Sequence, residues 1–175
     1  MTGTCLRSAA AAIGGLILIA QAPDTLAAAP RAASAQFDPV AFFSGATEGT
    51  GRLKKLMSLA QQVHVIGHGV ARRDGSLVLD QTVTIPGEAA RSRHWQLHQS
   101  QPGLFVGTLS DAEGPVVARV AGAHLLIHYT AMGNIDVDQN LTLEPGGSGA
   151  QNVTKFRKFG VAVATLNEFI RKIGA

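Results

Sequence analysis

Apolar residues fall on alternate positions in one short segment after another: Val63 and Val65; Leu77 and Leu79; Trp95 and Leu97; Val116, Ala118 and Val120; Leu125, Ile127 and Tyr129; Ile135 and Val137, then Leu141 and Leu143. A spacing of two is the mark of a strand with one face buried and the other wet. Turn signals separate these segments at nearly regular intervals, among them RRDG (72–75), IPGE (85–88), SQPG (100–103), AEGP (112–115), AMGN (131–134) and EPGGSG (144–149). The pattern predicts about nine strands, at roughly 47–57, 61–71, 76–85, 91–100, 104–110, 115–120, 123–131, 135–143 and 150–159. Most links are of hairpin length, so consecutive strands pair antiparallel.

An antiparallel sheet with one apolar face must close or fold over to cover it. Two architectures do this, an up-and-down barrel of the lipocalin (calycin) type and a two-sheet sandwich, and the succession of short links favours the barrel. Two further elements flank the strands. In FDPVAFFSG, Asp38 caps and Pro39 opens a single helical turn that ends at Gly45. In VAVATLNEFIRKI, Leu166, Phe169, Ile170 and Ile173 stand at helical spacing, which predicts a short amphipathic C-terminal helix packed on the barrel.

The N-terminal residues change the picture of compartment. Arg7 precedes an uncharged apolar run, Ala9–Ala20, followed by small-x-small triplets at Ala27–Ala29 and Ala33–Ala35. This is the layout of a secretory signal peptide, and the run is shorter than the ~20 apolar residues a transmembrane helix needs. Residues 1–35 are thus read as a signal peptide cleaved after Ala35, with Ala29 the alternative, and 36–175 as one domain of ordinary size. The single cysteine, Cys5, lies ahead of the apolar run rather than after it, so the chain is expected in the periplasm as a free protein rather than a lipoprotein. Loss of Arg7, Asp24 and Arg31 takes the formal charge from +3 to +2. That mild excess, whose densest stretch is Lys155, Arg157 and Lys158, excludes the concentrated basic face of a nucleic-acid binder.

All six histidines occur as H-x-x-x-H pairs, in HVIGH (64–68), HWQLH (94–98) and HLLIH (124–128). On a helix this spacing chelates a metal, but on a strand it places the two imidazoles roughly 13 Å apart. The three strands concerned are not neighbours in an up-and-down order, and no metal site is expected. The phase of the alternation sends these histidines outward, opposite Trp95, Leu97, Leu125, Ile127 and Tyr129.

The inward phase carries more chemistry. Alongside its aliphatic residues it holds Gln81, Arg93, Trp95 and Tyr129. A solid barrel has little use for such groups, whereas a cavity for an amphiphile combines an apolar wall with a few polar handles. An inward arginine suits a carboxylate or phosphate, and a pairing of Arg93 with Asp80 or Asp111 would make it scaffolding instead. Gly49-Thr50-Gly51 lacks the strand-then-helix setting of a phosphate loop, and Ser44-Gly45 is outside any G-x-S-x-G elbow.

FDPVAFFSGATEGTGRL, GSLVLDQTV, RSRHWQL, GTLSDAEGPV, the strand ending in Tyr129 and VTKFRKFGV resemble, in this order, the bacterial family called domain of unknown function 3833. The resemblance implies a small exported protein with a lipocalin-like barrel and no established activity; many members are lipoproteins. This chain departs from the family in lacking a lipobox cysteine, in having Gln81 where relatives often carry an acid, and in its strand histidines.

The reading expected from the sequence is therefore an exported lipocalin-like barrel that holds a small hydrophobic ligand, fatty acid or lipid-like, contacted by Gln81, Arg93, Trp95 and Tyr129, with no cofactor and no catalytic residues. Transient contact with a membrane surface belongs to the same reading. The alternatives are an enzyme or enzyme accessory acting on lipids, with Asp80, Asp111 or a histidine as acid or base, and a structural module of the envelope.

Overall fold

The computed structural model describes residues 36–174; the signal-peptide reading falls on 1–35, outside the described residues. One short helix, α1 (Pro39–Phe43), precedes ten strands: β1 (Gly45–Lys55), β2 (Gln61–Ala71), β3 (Leu77–Thr84), β4 (Arg91–Gln101), β5 (Leu104–Leu109), β6 (Val116–Ala121), β7 (His124–Ala131), β8 (Ile135–Leu143), β9 (Gly149–Lys158) and β10 (Val161–Ile173). Each strand pairs antiparallel with its neighbours in sequence, and β1 pairs with β10, so the sheet is a closed up-and-down barrel. Closure removes both sheet edges, the groups that would otherwise recruit a foreign strand.

The nine strands read from the alternation are all present, and a tenth corrects the expected count. The segment expected to be a C-terminal helix is β10, a thirteen-residue strand. Its helical spacing loses to hydrogen bonding: β1 and β9 each offer it an open ladder, from Ala46↔Ile173 to Lys55↔Ala164 on one side and Val161↔Lys158 to Arg171↔Gly149 on the other. A helix there would leave both ladders unpaired. In the strand, Glu168 and Ile170 point inward, while the Phe169 ring lies outside over Gly149, where a Cβ would come within 2.7 Å of it.

The helix closes one end. Asp38 Oδ1 accepts the Ala41 amide at 3.0 Å, an N-cap, and Pro39 occupies the first turn, where no donor is missed. Lys172 Nζ, from the end of β10, donates to the carbonyls of Ala41 (2.6 Å), Phe42 (3.1 Å) and Ser44 (3.2 Å), the position where a cation suits a helix C-terminus. Phe37, Phe42 and Phe43 are buried as a cluster with centroids 5.1 and 4.9 Å apart. Gly69 of β2 admits this plug, since a Cβ there would fall 1.9 Å from the Phe43 carbonyl oxygen. The opposite end carries the β1–β2, β3–β4, β5–β6, β7–β8 and β9–β10 turns and is the open one.

Candidate ligand-binding cavity

Eight strands enclose an interior just wide enough to fill with side chains or hold one small ligand, and diameter grows with strand number. Ten strands here leave a cavity of about 520 Å³, within the range of small-molecule sites. Its walls are mainly aliphatic and aromatic, with Leu53, Val63, Val65, Ile85, Phe156 and Leu166 toward the open end and Phe43 and Leu77 toward the plug.

The structure brings Gln81, Arg93, Trp95 and Tyr129 together on this wall as one connected group. Gln81 and Arg93 are cross-strand partners, as are Leu79 and Trp95. The Trp95 indole donates to Gln81 Oε1 at 2.7 Å, and Arg93 Nη2 donates to the Tyr129 hydroxyl at 2.7 Å. The Arg93 guanidinium lies 5.0 Å from the Trp95 ring and 5.9 Å from that of Tyr129, while the two rings meet edge to face at 5.8 Å. Such contacts fix the orientation of a cation without consuming all its donors.

Arg93 also makes the scaffolding pair read as an alternative: its Nε donates to Asp111 at 3.1 Å. Burial works against the Arg93 charge, but Tyr129 and Asp111 outweigh it and hold the group firmly cationic. Nη1 has no protein partner among the described residues. Tyr129 accepts from Arg93 and, at 3.4 Å, from Gln139 Nε2, so its own hydrogen remains for a further acceptor. Cation and hydroxyl together offer donors of the kind that one anionic or strongly accepting group can take.

Other inward polar residues escaped the sequence reading, among them Gln139, Asn152, Thr154 and Glu168. Asn152 Nδ2 donates to Glu168 Oε2 at 2.9 Å, and Thr154 Oγ1 to Asn152 Oδ1 at 3.4 Å. Gln139 and Thr154 are cross-strand partners, so this second group stands next to the first. Burial raises the Glu168 pKa; the Asn152 hydrogen bond and the Arg93 charge oppose the rise without cancelling it. Room for the carboxyl comes from β1, where a Cβ on Gly49 would sit 2.1 Å from Glu168 Oε1 and one on Gly51 2.9 Å from the Glu168 Cα. The Gly49-x-Gly51 spacing, read only against a phosphate loop, was the signal that a large inward side chain lay opposite.

The histidines are on the outer wall, as the alternation predicts, and most pair across strands: His64 with Glu48 (2.9 Å), His94 with Asp80 (2.6 Å), His128 with Asp138 (2.9 Å) and His124 with Thr142 (3.1 Å). Among the described residues no three histidine, cysteine, aspartate or glutamate side chains converge on a point. Asp80 faces solvent outside while Asp111 sits at the rim on Arg93, so the acid–base pair considered from the sequence does not share a cavity.

These features define a class: a closed, calycin-like antiparallel barrel, plugged at one end by a helical turn and lined by an apolar wall with polar side chains grouped on it. The chain belongs to the family of proteins of unknown function DUF3833, whose pattern matches residues 17–172. No curated protein matches it. Among solved structures it is similar to the S-type phycobiliprotein lyase CPES from Guillardia theta, at 6% identity and a TM-score of 0.63, over 78% of this chain and 91% of that one. It is also similar to a redesigned β-barrel, mFAP0, bound to DFHBI, at 13% identity and a TM-score of 0.44, over 75% and 99% of the two chains. The first of these likenesses is one of fold.

Proposed function

We propose that this protein is an exported carrier that binds a small amphipathic molecule, a fatty acid or similar lipid fragment, inside the barrel. The observation that carries the reading is the cavity itself: about 520 Å³ of apolar-walled space with a cation and a hydroxyl donor on one side. The acyl chain would lie along Leu79, Leu125, Ile127 and Leu141, and the head group would take the Arg93 Nη1 and Tyr129 O–H donors. Gln81 and Trp95 hold the wall behind Arg93. The apolar run Ala9–Ala20 and the small-residue triplets after it support export to the periplasm.

Native mass spectrometry of the protein purified from a bacterial periplasm tests this reading. A co-purifying mass of lipid size, released on denaturation and identified as a fatty acid or lysolipid, is the expected result. A protein that carries no adduct and takes up none when offered fatty acids would refute it.

A further inference from the structure

Among the described residues, the six most exposed large apolar side chains lie in or next to the turns at the open end. Leu56, Met57 (96% exposed) and Leu59 (88%) belong to the β1–β2 turn, Met132 to β7–β8 and Phe159 (87%) to β9–β10, with Val161 opening β10 beside it. Soluble proteins scatter single apolar residues over their surface, but clustering at one edge marks an interaction site. The β1–β2 and β9–β10 turns are neighbours, because β1 pairs with β10, and the Leu56 amide joins them by donating to the Val163 carbonyl at 2.8 Å.

Met57 and Phe159 both adopt left-handed backbone, at φ 60 and 52. Glycine or asparagine fits that conformation best, yet the positions carry large apolar side chains aimed at solvent. The surroundings are basic: segment 52–60 holds Arg52, Lys54 and Lys55, and segment 155–161 holds Lys155, Arg157 and Lys158, with no acid in either. Lys55 meets Glu88 and Arg157 meets Asp138, and Lys158 Nζ stands 5.7 Å from the Phe159 ring. Apolar tips among cations are the makeup of a surface that enters the head-group region of an anionic bilayer. The tips also border the mouth, where Leu53, Ile85, Phe156 and Leu166 begin the cavity wall.

We propose that the β1–β2 and β9–β10 turns form a membrane-docking edge. Leu56, Met57, Leu59, Phe159 and Val161 enter the interface of an anionic leaflet, the lysines meet phosphate, and the mouth of the barrel opens onto lipid. This stands on the rim alone and is independent of what the cavity holds.

Sedimentation of the protein purified from a bacterial periplasm with vesicles of phosphatidylcholine, alone or mixed with phosphatidylglycerol, tests the proposal. The expected result is binding to the mixed vesicles only, weakened by salt. The double variant Met57→Ser/Phe159→Ser should bind at least about tenfold more weakly, and Lys54→Gln/Lys158→Gln about thirtyfold more weakly. Circular dichroism and thermal melting would show that both variants fold, since every replaced side chain is exposed. No binding to mixed vesicles, or undiminished binding by both variants, overturns the proposal. So does a dimer in solution that the Met57→Ser/Phe159→Ser variant abolishes while vesicle binding persists, which would make the edge a contact between copies of the chain.

Discussion

Arg93→Met separates a head-group site from a scaffold. The substitution keeps most of the side-chain volume and removes the cation, with its contacts to Tyr129 and Asp111. Its effect on folding should be small. Asp111 is 44% exposed, so water replaces the lost partner, and an ion pair with so exposed a member contributes at most about 1 kcal/mol. Tyr129 keeps Gln139. The effect on an anionic ligand should be larger, because a hydrogen bond to a charged group is worth about 1.5–3 kcal/mol, which is roughly 10- to 150-fold in Kd. Trp95 supplies the assay. It is the only tryptophan in the chain, it is buried in the cavity wall, and its ring lies 5.0 Å from the Arg93 guanidinium, so its fluorescence reports occupancy. Titration of wild type and variant with a saturated fatty acid and with the alcohol of equal chain length isolates the charge. The acid should weaken by the stated factor and the alcohol by less than about threefold, the worth of one ordinary contact. Equal losses for acid and alcohol, or none for either, would refute the assignment of Arg93 as the head-group residue.

Glu168→Gln should raise the melting temperature at neutral pH. The folded-state pKa of Glu168 is raised, so wild-type stability falls as pH rises from the ordinary carboxylate range through that higher value. The variant lacks this slope, and its advantage in thermal melts should vanish as pH falls below the ordinary range. Gly49→Ala should cost about 1–3 kcal/mol in urea unfolding, because its Cβ meets Glu168 Oε1 at 2.1 Å; combined with Glu168→Ala the penalty should shrink, a coupling read from the double-mutant cycle. Asp38→Ala removes the cap of α1 and should cost about 1 kcal/mol by the same method, loosening the plug without changing the fatty-acid Kd.

Much of this architecture was legible because the buried apolar residues of each strand from β2 to β8 share one phase, with Ile66, Val70 and Leu126 standing on the opposite face. That phase sent His94 and His98 outward and Trp95 inward, and it gathered Gln81, Arg93 and Tyr129 on the lining. The last two strands break the rule. In β9 the inward residues are Ala150, Asn152, Thr154 and Phe156, while the aliphatic Val153 is exposed on the outer wall. Polarity along that stretch points to the wrong face, and only the register with β8 and β10 corrects it. In β10 Glu168 is the buried residue and Phe169 the exposed one, so the apolar positions mimic helical spacing. The signal fails where polar side chains take the inward positions of β9 and β10.

That polar interior bears on how such a barrel can work. Glu168, Asn152 and Thr154 satisfy one another, Gln81 accepts from Trp95, and Arg93 is shared between Asp111 and Tyr129. Among the described residues no fully buried side-chain nitrogen or oxygen lacks a partner. An unpaired buried group would cost about 1–3 kcal/mol and make the empty barrel depend on its ligand for stability. Here the polar groups are paired before anything enters, and the donors left over, Arg93 Nη1 and the Tyr129 hydroxyl hydrogen, face the cavity. With its polar groups paired, such a barrel needs no ligand to satisfy them, and in the proposed carrier release would cost only the contacts the ligand itself makes. Reversible loading is what the proposed carrier requires, and the same polar side chains that obscured β9 and β10 in the sequence would support it.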